Sequence, residues 1–192
     1  MHMATLSRRW TVDEVLAIPD DGQRREVIDG ELFVSPAPTL VHQRVLSILH
    51  YRIREYLLAH PAGEIFTSPA DIVFDRETLV QPDVFVAPLV NGRRPSSWKD
   101  IRHLLLAIEI LSPSTARLDR IRKRERYQRA GVPEYWIVDH DARAIERWRP
   151  EDERPEILAE QIEWIPALDV PPAEGLVIAL ADFFEEAVGD LE

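Results

Sequence analysis

From Leu104 to Leu111 the chain reads LLLAIEIL, an apolar run interrupted by one charge, Glu109. A run of that length fits a strand buried on both faces. An unpaired carboxylate in such a strand costs several kcal/mol, so Glu109 has to be paired or hold a cation. After Ser112-Pro113-Ser114, the stretch from Ala116 to Ala130 contains no Gly or Pro and predicts a helix that stops at Gly131, with Pro133 beyond it. The aromatic and β-branched run from Glu134 to Val138 then predicts a second buried strand. Strand, crossover helix and strand make a right-handed βαβ unit with parallel strands.

The unit also selects which helical residues can meet Glu109. About three residues separate Glu109 from the end of its strand at roughly 3.3 Å each, and a helix retraces that distance at about 1.5 Å per residue. Counting about six residues from Arg117 reaches Lys123. Asp119, Lys123 and Tyr127 lie four apart and share its face. A salt bridge that merely neutralises a buried acid explains this grouping as well as a chemical role does. Residue usage tilts the balance, because of 23 basic residues only Lys99 and Lys123 are lysine. A compact ammonium can direct a proton at a water or a phosphate oxygen, whereas a guanidinium is a fixed, always-charged fork.

With 192 residues, 45% hydrophobic and 30% charged, the chain is expected to form a single domain over residues 1–192, with a core at about 11–148 and a C-terminal extension at 149–192. The absence of cysteine excludes disulfides and thiolate metal sites. No signal-like segment or long apolar run is present, so the expected setting is cytoplasmic, without membrane insertion. A net charge of −11 argues against a nucleic-acid partner. Between Arg117 and Arg129, however, seven bases face two acids, a local +5. Pairing of that helix with acidic loops is the simpler explanation, but nucleic acid stays open.

Elsewhere, Thr11 and Glu14 predict a capping box for a short helix. Arg25–Ile28 and Glu31–Val34 flank Asp29-Gly30 and predict a hairpin, in which Glu26 and Glu31 face solvent or one of them faces a site. Apolar spacing from Thr39 to Leu58 predicts a long amphipathic helix, with His42 at the edge of its stripe, where a lone histidine is more often structural than catalytic. Short strands are expected near Glu64–Thr67, Asp71–Phe74 and Val80–Ala87, the last containing a second charge in an apolar run, Asp83. Pro82 cannot donate to a ladder and should put Asp83 at the sheet rim. A strand at Ala144–Arg149, apolar residues Leu176–Ile178 and a closing helix near Asp182–Val188 complete the chain.

No Walker loop, dinucleotide glycine fingerprint, HExxH or GxSxG motif occurs. Two carboxylates on separate strands with a lysine nearby remain, a set suited to a hard divalent ion that activates water and neutralises phosphate.

The succession IDGEL, SPAPTLVHQ, QPDVFVAP, AIEILSPST, a helix carrying Asp119, Lys123 and Tyr127, and GVPEYWIVD resembles the Uma-two family of restriction endonucleases, within the PD-(D/E)XK nuclease superfamily. The resemblance implies a restriction-endonuclease-like α/β fold: a central mixed β-sheet flanked by helices, with a C-terminal βαβ unit in the core. It implies a metal-dependent DNA endonuclease, using Mg²⁺ or Mn²⁺ and acting as a homodimer. Pro82-Asp83 matches the PD element and Glu109 the acid of the second motif. Leu111 stands where the superfamily has lysine, and the resemblance implies that Lys123 of the next helix takes that part. The implied metal ligands are Asp83, Glu109 and the Ile110 carbonyl; the implied catalytic residues are Asp83, Glu109, Lys123 and Tyr127, with Glu31 and His42 as outer members. The departure at Leu111 keeps a second reading in play, a nuclease-like fold that binds nucleic acid or protein without cutting, and a third, a structural subunit without metal.

Overall fold

The computed structural model describes residues 8–189. Thr11 caps α1 (Val12–Leu16) through the expected capping box: its hydroxyl accepts from the Glu14 N–H, and the Glu14 carboxylate accepts from the Thr11 N–H. The hairpin of β1 (Arg24–Ile28) and β2 (Glu31–Ser35) turns at Asp29 and Gly30, with φ of 50° and 80°. Positive φ at both central residues is what a tight two-residue hairpin turn demands. The helix α2 (Leu40–Ala59) is capped by the Thr39 hydroxyl, which accepts from the His42 N–H.

Beyond α2 come β3 (Gly63–Thr67), β4 (Ile72–Asp75), β5 (Thr78–Val80), β6 (Val84–Pro88) and β7 (Leu106–Ile110). A π-helical stretch (Leu118–Lys123) runs into α3 (Arg124–Arg129), followed by β8 (Tyr135–Asp139) and β9 (Ala144–Trp148). The chain closes with β10 (Glu156–Leu158), β11 (Gln161–Trp164), β12 (Leu176–Ala179) and α4 (Leu180–Val188).

Six strands form the main sheet in the order β10-β9-β8-β7-β6-β3, and four form a second in the order β2-β1-β5-β4. Within the main sheet β7 and β8 pair in parallel, with Glu109 opposite Ile137, while the other pairs are antiparallel. The fold is therefore the expected mixed central sheet flanked by helices, with the βαβ unit at its centre. Alternation along β7 divides its side chains. Leu106, Ile108 and Ile110 join the core under α2 and α4, while Ala107 and Leu111 join the core beneath the second sheet and the π-helical stretch. Glu109 has the parity of the second set.

Two expectations are corrected. The predicted strand Val80–Ala87 is two strands in different sheets, and Asp83 lies in the bend between them rather than within a strand. Pro82 breaks the ladder there, but the bend is buried: Asp83 is 2% exposed. The predicted plain helix over Ala116–Ala130 contains the π-helical stretch, where the Arg124 N–H reaches back five residues to the Asp119 carbonyl. The C-terminal extension is part of the packing, since Trp164, Ile178, Phe183 and Phe184 enter the core with Leu49 and Ile53 of α2.

Trp136 is fully buried, and its indole N–H donates to Glu134 at 2.8 Å. Trp136→Ala should cost roughly 3–5 kcal/mol in a urea melt; a loss below about 1 kcal/mol would show that β8 is not a packed central strand.

Candidate active site

Five segments bring seven polar side chains together between the two sheets. Glu109 comes from β7, Asp83 from the bend before β6, and Asp119 and Lys123 from the π-helical stretch. Arg24 and Glu26 come from β1, and Tyr127 from α3. The carboxyls of Glu26, Asp83, Glu109 and Asp119 and the Lys123 ammonium are each no more than 2% exposed by residue.

Lys123 is the hub. Its Nζ lies 2.9 Å from Glu109 Oε1, 3.0 Å from Glu26 Oε1 and 3.6 Å from Asp119 Oδ1. The ion pair expected from helix and strand spacing is thus present. Burial opposes the charge on Lys123, but Glu109, Glu26 and Asp119 outweigh it and raise its pKa above the ordinary lysine value. Tyr127 also donates to Glu109 Oε1, at 3.2 Å, so the face shared by Asp119, Lys123 and Tyr127 survives the π turn.

Asp83 is held from three directions. Oδ1 accepts from Arg24 Nη1 at 2.7 Å, while Oδ2 accepts from the Ile110 N–H at 2.8 Å and lies 3.1 Å from His42 Nε2. Burial would raise its pKa, yet the His42 hydrogen bond and the charge of Arg24 hold it well below the usual carboxylate range. Glu109 goes the other way. Burial pushes its pKa well up, with Asp83 and Asp119 adding to the rise and Lys123 and Arg24 opposing it.

Glu31 stands outside this group. Its carboxylate is exposed and pairs with Arg122 at 2.8 Å. Parity alone does not separate Glu31 from Glu26, because Glu31 lies opposite Ile28 and Glu26 lies two residues before Ile28 on the same strand. Sheet order does: β2 is an edge strand, while β1 lies inside, between β2 and β5. Arg24 is the member that sequence reasoning missed, and Glu26 is the one it left open beside Glu31. The parity of Glu26 with apolar Ile28 was the available signal, and it was ambiguous without the strand order.

The basic helix is mostly neutralised within the molecule. Arg120 pairs with Asp139 and Glu146, Arg122 with Glu31, Arg124 with Glu125, Arg126 with Asp75 and Arg129 with Asp29. Among the described residues, Arg117 alone of the seven bases makes no ion pair.

The cluster fits a hard divalent cation in charge and in donor type. Four carboxyls face the two fixed cations Arg24 and Lys123, and a buried imbalance of that sign is relieved by protons or by a metal. Glu26 Oε2 and Asp119 Oδ1 are buried without a hydrogen-bond donor. As they stand, no three His, Asp or Glu side chains among the described residues are set to hold an ion. The fit is therefore one of chemistry, with Arg24 standing between the acids.

Asp119 gives a pH signature. Burial raises its pKa from 3.8 to about 6, with Asp83 and Glu26 adding to the rise and Lys123 and Thr115 opposing it. A carboxyl whose folded-state pKa is raised binds its proton better in the folded state, so its ionisation removes stability as pH rises from about 4 through about 6. Asp119→Asn should therefore be more stable than the wild type above about pH 6, by up to about 3 kcal/mol, and gain nothing below about pH 4. Urea melts of both proteins across that range, without divalent ions, check the sign; a gain that grows as pH falls would contradict it.

The family model described as "Uma2: Putative restriction endonuclease" matches residues 12–180. A crystal structure from Anabaena variabilis ATCC 29413, described as a putative nuclease belonging to DUF820, has a TM-score of 0.73 at 20% identity, covering 93% of this chain and 99% of that one. That likeness is one of fold. The type IIG restriction endonuclease BpuSI gives a TM-score of 0.39 at 14% identity over 81% of this chain and 17% of that one. No curated protein matches the sequence.

Proposed function

The chain belongs to the Uma2 family of restriction-endonuclease-type proteins, and on that premise we propose that it is a metal-dependent endonuclease that hydrolyses DNA phosphodiester bonds. The observation that carries this reading is the buried lysine 2.9 Å from Glu109, on the same face as Tyr127 and within one cluster with Asp83. Asp83 and Glu109 would hold Mg²⁺ or Mn²⁺, with the Ile110 carbonyl as a further oxygen. A hard divalent ion bound there supplies activation of water and neutralisation of phosphate charge.

The chain's own residues have separable tasks. His42 and the Ile110 N–H fix one oxygen of Asp83, so its other oxygen has a set direction. Tyr127 and Lys123 do the same for Glu109. The Lys123 ammonium, kept charged by its acids, is positioned to orient the attacking water or meet the negative charge that develops at phosphorus. His42, within hydrogen-bond distance of Asp83, acts as a positioning residue. Glu31, on the surface beside Arg122, lies outside this set of tasks. Homodimerisation and DNA as substrate are part of the proposal.

A second reading has its own support. The Asp83 carboxylate is satisfied by three donors and the basic helix is paired internally, which suits a nuclease-like module that binds without cutting. Plasmid nicking separates the two. With Mg²⁺ or Mn²⁺ the wild type should nick supercoiled DNA, and Asp83→Asn and Lys123→Met should each lose about 100-fold or more. Lys123→Arg should also fail, because a fully enclosed site has no room for the larger guanidinium. Circular dichroism of each variant distinguishes lost chemistry from lost folding. A wild type that binds metal and DNA but leaves every DNA form intact would favour the binding module.

A further inference from the structure

Each of three buried carboxylates has one oxygen locked by fixed donors and one directed elsewhere. In Asp83, Oδ2 is taken by His42 and the Ile110 N–H. In Glu109, Oε1 is taken by Lys123 and Tyr127. In Glu26, Oε1 is taken by Lys123 and by the Gln81 N–H at 2.7 Å. The three remaining oxygens face a single group, the guanidinium of Arg24: Nη1 is 2.7 Å from Asp83 Oδ1, Nη2 is 3.5 Å from Glu109 Oε2, and Nε is 3.8 Å from Glu26 Oε2.

Only the first of these contacts is a good ion pair. Arg24 Nε and Glu26 Oε2 are both buried without a hydrogen-bond partner. A flat fork cannot satisfy three carboxylates arriving from β1, the bend before β6 and β7, although a compact ion with no directional donors can. Arg24 is also the member with a way out. Its side chain is 22% exposed, against 1–3% for the three carboxylates it faces.

We infer that Arg24 and a divalent cation are alternative occupants of one three-carboxylate site formed by Glu26, Asp83 and Glu109, and that the ion binds by displacing the guanidinium toward solvent. Glu26 is thereby assigned as the third acidic ligand. Arg24 is a positioning residue that holds the three oxygens apart and neutral until the exchange. Its charge makes the site harder to fill, so the apparent metal affinity is set by competition between two cations. The inference rests on the metal site proposed above, but makes a claim of its own about Arg24.

Calorimetric titration of chelator-stripped protein with Mn²⁺ tests it without reference to activity. Arg24→Gln should bind Mn²⁺ about tenfold or more tightly than the wild type, because the competitor is gone. Glu26→Gln should bind more weakly than the wild type. Without metal, Arg24→Gln should melt below the wild type, since the carboxylates have lost a countercharge, and Mn²⁺ should raise its Tm by more than it raises the wild-type Tm. In wild-type protein, added Mg²⁺ should move the Arg24 Nε–H resonance from a protected to a solvent-exchanging signal, a measurement that needs no variant. If the wild type binds metal, and Arg24→Gln binds it no more tightly or the Arg24 resonance stays put on saturation, the exchange is wrong while the metal site stands. If neither protein binds Mn²⁺ or Mg²⁺, the metal site itself falls and the exchange with it.

Discussion

A fully buried ammonium is the interaction on which the arrangement depends. Lys123 reaches Glu109 on the main sheet, Glu26 on the second sheet and Asp119 one turn earlier on its own helical stretch. Without it, three carboxyls from three elements would face one another in a water-poor space, and removing one partner of a buried ion pair typically costs about 3–5 kcal/mol. The ammonium therefore ties the two sheets and the crossover helix at one point. Arginine, which supplies every other positive charge on this helix, would bring a planar fork where a single point charge has to meet three acids.

The π-helical stretch belongs to the same arrangement. A π turn is rare, is usually confined to a single turn, and is often found at functional sites. Here it spans Asp119 and Lys123, two of the three residues of the crossover that enter the cluster, while Tyr135 from β8 donates to the Asp119 carbonyl at 3.2 Å. The surface of the same helix is tied down by ion pairs to Asp29, Glu31, Asp75, Asp139 and Glu146. The local excess of positive charge thus works first as internal glue between the helix and both sheets. That role sits comfortably with a strongly acidic chain.

Asp83 and Glu109 are chemically alike but sit in opposed environments. His42, Arg24 and a backbone N–H keep Asp83 ionised despite burial, whereas burial and neighbouring acids favour the protonated form of Glu109. Divergent settings for paired acids are common where chemistry is done, though structural networks produce them as well. No helix among the described residues is long and apolar enough to cross a membrane.

The sequence alone determined the elements whose cause is local: the Thr11–Glu14 capping box, the Asp29-Gly30 turn, the long helix after Thr39 and the parallel βαβ unit. It also brought Lys123 to Glu109, because the rise per residue of a strand and of a helix fixes how far a crossover must climb. Tertiary structure decided what depends on strand order and on the meeting of distant segments. Parity put Glu26 and Glu31 on equal terms, and only the interior place of β1 buried one and left the other at an edge. Arg24 could not be singled out, since an arginine opening a hairpin gains its meaning from three carboxylates up to 85 positions away, the distance to Glu109. The bend that buries Asp83 likewise exists because β5 and β6 join different sheets, a long-range pairing on which the local sequence Gln81-Pro82-Asp83 is silent.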